Sequence, residues 1–265
     1  MEAPTGHEEN VDQIAYWNGA GGLRWAQRQP VQDILLQPIA DLIIDRAKIR
    51  SGERVLDVGC GSGSTTFAFA KAVGPSGHVM GIDISAPMLE RAREVTPPGA
   101  PVEFALADAT IYPFAPESFD LLASRFGVMF FADPALSFAN LRKAMRRTGR
   151  LAFACWREAR SNPFFMVPLQ AVYQHVPKMP QVGPEEPGPF AFVVRENRFP
   201  LCANAALRVR IMLAPSRSRW RHRAGPSAPS RTASRLHGST AWQRQRSPVD
   251  DQSRRAPPVR FRSRF

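Results

Sequence analysis

Apolar and polar positions alternate between a helical and an extended period along the first two-thirds of the chain. Residues 31–48 place Ile34, Leu35, Pro38, Ile39, Leu42, Ile43 and Ala47 at helical spacing, which predicts an amphipathic helix. Residues 54–58 form a short apolar run ending in a glycine cluster, the pattern of a strand buried in a parallel sheet. A helix over residues 64–73 follows, stopped by Gly74, Pro75 and Gly77. The second strand spans residues 78–82. Ser85 is placed to cap a helix over 87–95, with Pro87 near its start. Residues 102–107 and 119–124 read as the third and fourth strands. Asp133 and Pro134 open a helix expected to end near Arg147, with Thr148 and Gly149 as the turn into a fifth strand at 151–156. A last helix over 162–175 should be interrupted at Pro168.

Five strands interleaved with helices predict an α/β fold: a Rossmann-like, doubly wound, mostly parallel sheet with helices on both faces. The chain divides into an N-terminal helical lid segment (1–50), a central domain (51–192) and a tail (193–265). Beyond Gln181 the sequence turns rich in Pro, Gly and Arg. Between Ala214 and Phe265 only Trp220, Leu236, Trp242, Val249, Val259, Phe261 and Phe265 are apolar and larger than alanine, and they follow neither period. Such a segment buries too little apolar surface to offset its ordering entropy, so disorder is expected there.

Charge sharpens that boundary. The chain of 265 residues carries +12, but residues 195–265 hold 17 Arg, no Lys and three acids, whereas residues 1–194 are net −2. The high isoelectric point therefore belongs to the tail, and the body is no basic nucleic-acid binder. An arginine-only basic set with abundant Ser and Pro is what a GC-rich coding region yields in a shifted frame. The tail is expected to be frame-shifted or otherwise non-homologous. No apolar run is long enough to span a bilayer. The first ten residues are polar and acidic, unlike a secretory signal. Cys60, Cys155 and Cys202 lie far apart with no metal or redox spacing, so no metal is expected and a reducing cytoplasm is the expected setting.

The candidate chemistry sits at the strand ends. In Asp57-Val58-Gly59-Cys60-Gly61-Ser62-Gly63 a glycine-rich turn lets backbone approach a ligand closely. An acid two residues before the first glycine would repel a pyrophosphate and favour a cation. Position 64 is Ser, where a dinucleotide fingerprint needs glycine. Asp83 ends the second strand at the spacing where a carboxylate meets ribose hydroxyls. Asp108 follows the third strand, where it can accept from an exocyclic amine. Three acids at consecutive strand ends converge on one crevice.

These motifs, with Pro113-Phe114 and Ser118-Phe119-Asp120 in order, resemble class I S-adenosylmethionine-dependent methyltransferases over residues 16–189. Ser124 to Pro134 and Gly149 to Trp156 are similar to small-molecule bacterial enzymes related to the quinone-biosynthesis methyltransferases. The resemblance implies S-adenosylmethionine as cofactor, with Gly59 and Gly61 against it and Asp57 supporting the turn and the methionine moiety. It puts Asp83 on the ribose, Ile84 and Met88 beside the adenine, and Asp108 and Ala109 on the adenine amine and ring nitrogen. Arg125 would line the methionine end, and Tyr16 and Trp17 would belong to a lid near the sulfonium. Plain structural roles compete: Asp83 as a helix cap, Asp108 as a turn residue, Arg125 in an ion pair, and Trp156 and Phe130-Phe131 as core.

The implied activity is in-line methyl transfer to a small-molecule acceptor, which needs alignment more than a nucleophile. No general base stands out. Two other readings compete: a cofactor-binding or inactive remnant, and an RNA-associated enzyme or binder using the basic tail. The resemblance also implies two closing strands beyond about residue 190. The composition there shows none, so the fifth strand is expected to be an exposed edge.

Overall fold

The computed structural model describes residues 6–177, 186–192, 201–203 and 209–215. All of them fall in one compact unit, residues 1–220. The chain enters through α1 (Val11–Asn18), α2 (Ala20–Gln27) and α3 (Gln29–Ala47). It then alternates: β1 (Arg54–Val58), α4 (Ser64–Val73), β2 (His78–Asp83), α5 (Ala86–Glu94), β3 (Val102–Leu106), β4 (Phe119–Arg125), α6 (Pro134–Ala144) and β5 (Met145–Trp156). α7 (Pro163–Val172), β6 (Leu201–Ala203) and β7 (Val209–Pro215) complete the described elements.

The seven strands form one sheet in the order β3-β2-β1-β4-β5-β7-β6. β1 to β5 pair in parallel, as the interleaved pattern predicted. Right-handed crossovers running outward in both directions from β1 and β4 place α4 and α5 on one face and α6 on the other. The core lies between: Phe69 of α4, Leu56 and Ile82 of the inner strands, and Leu121, Leu122 and Phe153 are all fully buried. The strand order reverses between β1 and β4, so the loops leaving their carboxyl ends splay apart and leave a crevice there.

Three expectations need correction. The first concerns the edge: β5 is not an edge, because β7 pairs with it antiparallel from Arg150↔Pro215 to Trp156↔Val209, and β6 pairs antiparallel with β7. Composition hid β7 because two arginines flank Val209 in a run that otherwise reads Val-Arg-Ile-Met-Leu-Ala, β-branched and apolar enough to extend. The closing strands implied by the resemblance are therefore present in this sheet. The expected disorder of the tail falls, from residue 216 onward, outside the described residues.

The second correction concerns α6, which ends at Ala144 rather than near Arg147, and Met145 already pairs with Phe119. Arg146 donates to Asp120 at 2.6 Å and Arg142 to the Met145 carbonyl, so sheet pairing overrides the helical tendency of the arginines. The third concerns α7, which runs through Pro168 without a break. α1 and α2 were covered only by the broad lid assignment and had no predicted boundaries.

Candidate functional site

The crevice at the switch point is a cavity of about 350 Å³. One end is polar and built by the loops after β1, β2 and β3. The other end is apolar and built by α2, α3 and the segment after β4. Trp17, Gly59, Gly61, Asp83, Ile84, Met88, Asp108, Ala109 and Arg125 all line it. Nine of the eleven residues singled out from the sequence thus come together; Asp57 lies just behind the wall, and Tyr16 does not line it.

The glycine loop is fixed by bonds that point inward to protein. The N–H groups of Gly59 and Cys60 both donate to the Ile82 carbonyl (2.9 and 3.3 Å) and Gly63 donates to the Cys60 carbonyl. The Gly61 N–H donates to Asp83 Oδ2 at 2.8 Å. These four donors are committed, so the loop is no phosphate cradle. Gly59 and Gly61 differ in what they face. At Gly59 (φ 68°) a Cβ would lie 2.5 Å from the Gly127 Cα, so close packing of two loops demands glycine there. At Gly61 (φ 56°) a Cβ would meet only the Met88 Cε at 3.5 Å, over the open cavity.

Asp83 is 8% exposed. Its Oδ2 accepts from Gly61 and its Oδ1 from the Ser85 N–H at 2.9 Å, leaving the outer lone pairs toward the cavity. Burial nevertheless pushes its pKa up to about 6, against these hydrogen bonds. Asp57 is fully buried and its Oδ2 accepts from the hydroxyls of Thr65 (2.6 Å) and Thr66 (2.8 Å) on the first turn of α4. Its Oδ1 has no partner, one of two such side-chain atoms among the described residues. Burial raises Asp57 to about 6 as well, while Arg125 works the other way. A buried carboxylate oxygen without a donor, beside an open glycine cradle, fits a cationic ligand at this end.

Asp108, 2% exposed, is held by the N-terminal segment. Its Oδ2 accepts from the His7 N–H (2.9 Å) and from Asn10 Nδ2 (2.6 Å), and its Oδ1 from the Thr110 N–H (2.8 Å). It is both the turn residue of the plain reading and part of the cavity wall. Asn10 also accepts from the Ala132 N–H at 3.1 Å, tying the segment to the loop before α6. Ser85 occupies the N-cap position of α5, but its hydroxyl makes no cap bond and donates instead to the Trp17 carbonyl at 2.6 Å. The cap comes from Asn18, whose Oδ1 accepts from the Ala86 N–H at 2.9 Å while its Nδ2 donates to the carbonyls of Ile14 and Ile84. Asn10 and Asn18 carry no sequence signal, because the partners that tie them to the site lie 66 or more residues away.

At the apolar end, Phe126 adopts φ 70°, a left-handed conformation that costs a bulky side chain energy. It stacks on Trp156 with ring centroids 4.4 Å apart and planes 4° from parallel, and Trp156 meets Phe165 edge-on at 5.1 Å. Trp17 sits edge-on to Phe130 at 5.1 Å, between the two ends. Trp156, Phe130 and Phe131 line the cavity and also pack in or against the core, and Phe126 was missed because a strained φ leaves no trace in composition. Tyr16 is 55% exposed and packs over Gly21 outside the cavity. Arg125 donates to the Leu36 carbonyl at 3.3 Å, and burial lowers its pKa while Asp57 and Asp33 support its charge. Among the described residues no cluster of metal-ligating side chains occurs, and no helix is long and apolar enough to cross a membrane.

Fold and site together define a Rossmann-like α/β domain whose ligand cavity opens at the switch point of its sheet. The family described as a methyltransferase domain matches residues 49–182, half of the chain, and the chain belongs to that family, in keeping with its resemblance to class I methyltransferases. Aklanonic acid methyltransferase DauC of Streptomyces sp. (strain C5) is 36% identical over 149 residues, covering 53% of this chain and 68% of that protein. Demethylmenaquinone methyltransferase of Staphylococcus aureus (strain JH9) is 38% identical over 101 residues, 38% of this chain and 42% of that protein. Across the first curated relatives the matched part spans from 32% to 68% of their own length. A solved Haloferax volcanii complex of the Trm112 methyltransferase activator with a methyltransferase contains a chain of like fold. Its TM-score is 0.51 at 17% identity, covering 74% of this chain and 97% of that one.

Proposed function

We propose that the protein transfers the methyl group of S-adenosylmethionine to a flat, apolar small molecule. The observation that carries this reading is one cavity lined both by the acids at the strand ends and by aromatic side chains, Trp17, Phe130 and Trp156 among them. In it, Asp83 holds the ribose hydroxyls through charge-assisted bonds, Ile84 and Met88 flank the adenine, and Ala109 and Asp108 meet its edge. Asp57 and the glycine loop set the position of the methionine moiety. The bound cofactor supplies an electrophilic methyl whose transfer neutralises its sulfonium. The chain contributes alignment and exclusion of water, through the lid formed by residues 7–27 and the stacked Phe126 and Trp156.

Three carboxylates and a single guanidinium line the cavity, which disfavours a polyanion such as RNA as acceptor. The two relatives whose names refer to aklanonic acid and demethylmenaquinone support a quinone-related acceptor. Calorimetric titration of the full chain with S-adenosylmethionine tests the reading, alongside an Asp83→Ala control. Micromolar binding lost in the control is expected. No heat from a chain that melts cooperatively would remove the proposal.

A further inference from the structure

One polar cluster borders the apolar end of the cavity without serving its nucleoside end. Gln29, Gln32 and Asp33 sit on the first turns of α3 and line the cavity. Gln29 Nε2 donates to Asp33 Oδ2 at 3.2 Å, and its Oε1 accepts from Arg91 of α5 at 2.7 Å, so the pair is held from two elements. Arg125, at the end of β4, lines the same cavity and donates to the Leu36 carbonyl at 3.3 Å, while the charges of Asp57 and Asp33 support its own. The aromatic wall of Phe126 and Trp156 begins at the residue that follows β4.

We propose that Asp33 is the acceptor-side base: it accepts a hydrogen bond from a neutral phenolic or enolic hydroxyl and takes that proton as the oxygen is methylated. The proposal rests on the methyltransferase reading and names its acceptor class. In the step, the acceptor O–H bond breaks and its proton passes to the Asp33 carboxylate. The oxygen's electron pair forms the new O–CH3 bond, and the C–S bonding pair returns to sulfur. A carboxylate and a sulfonium become a carboxylic acid and a thioether, so charge is neutralised on both sides.

Electrostatics select a neutral acceptor over an anionic one. Asp33, Asp83 and Asp108 line the cavity against Arg125 alone, and Asp57 stands behind it. Arg125 is the single cation among the cavity's charged side chains, and the fields of Asp57 and Asp33 already offset its charge. An anion entering here would meet uncompensated negative charge, whereas a hydroxyl brings a donor to an oxygen that can receive it. Around Asp33 stand Gln29 on its own helix and Arg91 of α5 through Gln29, and Arg125 at the end of β4 interacts with its charge.

The test titrates the full chain, loaded with S-adenosylhomocysteine, with two probes: 1-naphthol, neutral at pH 7, and 2,4-dinitro-1-naphthol, ionised at that pH. Asp33→Asn should shift the ratio of affinities toward the anion at least tenfold, with S-adenosylhomocysteine affinity unchanged within about twofold. Asp33→Glu should keep the wild-type preference. An unchanged ratio in Asp33→Asn, or a wild-type chain that favours the anion, overturns the proposal. For a naphthol that is methylated, Asp33→Asn should lower kcat at pH 7 by about a hundredfold or more. The rate should recover as pH approaches the phenol's own pKa near ~10. A loss of equal size at every pH would mean that Asp33 only shapes the wall. Failure of the wild-type chain to bind S-adenosylhomocysteine would remove the cofactor assignment instead, and the naphthol ratio still decides Asp33 on the unloaded chain.

Discussion

Asp83 accepts two backbone hydrogen bonds and still has its pKa pushed up to about 6, because almost none of its surface reaches water. Its pKa in the folded chain thus exceeds the ordinary carboxylate value of 3.8. The protonated form is favoured on folding, so this contribution to stability is complete below about pH 4 and is lost as pH rises through about 6. Asp57 acts in the same direction. A bound sulfonium reverses the balance by favouring both carboxylates. Affinity for S-adenosylmethionine should therefore climb between about pH 5 and pH 7, with protons released on binding. Calorimetry in two buffers of different ionisation enthalpy checks this, and Asp83→Asn should flatten most of the slope and weaken binding at least tenfold. A wild-type affinity that ignores pH would contradict the assignment of these acids.

The two loop glycines separate structure from binding at the same scale. Gly59→Ala combines a left-handed backbone with a Cβ placed 2.5 Å from Gly127, and should destabilise the fold by about 2 kcal/mol or more. Gly61→Ala carries the left-handed cost of about 1–2 kcal/mol but meets no protein closer than 3.5 Å. It should fold and lose cofactor affinity, because the new methyl stands in the cradle. Thermal melts and titrations of the two variants should rank in opposite orders.

At the scale of elements, α1 is fastened to the β2–α5 loop by two side chains, Asn18 and Ser85. Asn18 caps α5 through Ala86 and grips the carbonyls of Ile14 and Ile84, while Ser85 holds the Trp17 carbonyl. Asn18→Ala should cost about 1–2 kcal/mol, the range of a lost N-cap. It should also weaken cofactor binding, since Ile84 and Met88 flank the loop it steadies. A drop in melting temperature without a change in affinity would separate the lid from the site. The five parallel strands and the acids at their ends were legible because burial on both faces and a glycine turn are local patterns. Asn10, Asn18 and Phe126 were not, since their roles exist only once distant segments meet or the backbone is strained. The α6–β5 boundary was misplaced for a related reason: Arg146 reads as helix until Asp120 is beside it.

At the scale of the whole molecule, β7 decides how much of the C-terminal sequence matters. It pairs along β5 for seven residues and converts what would be an open edge into an interior strand. Removing β6 and β7 would leave the outer edge of β5 unpaired, next to Trp156 and the apolar end of the cavity, while its other edge stayed paired with β4. Beyond Trp220 the sequence offers little apolar material and many arginines, and the compact unit that holds the site closes at that residue. We therefore propose that the functional boundary lies after residue 220 rather than at 193, and that whatever the origin of residues 221–265, catalysis does not need them. A chain of residues 1–220 should melt as cooperatively as the full protein and bind S-adenosylmethionine within about threefold of it. A chain of residues 1–200 should aggregate or lose its cooperative melt. If the 1–200 chain instead behaves like the full protein, β7 is dispensable, and the shorter boundary suggested by composition alone would be the correct one.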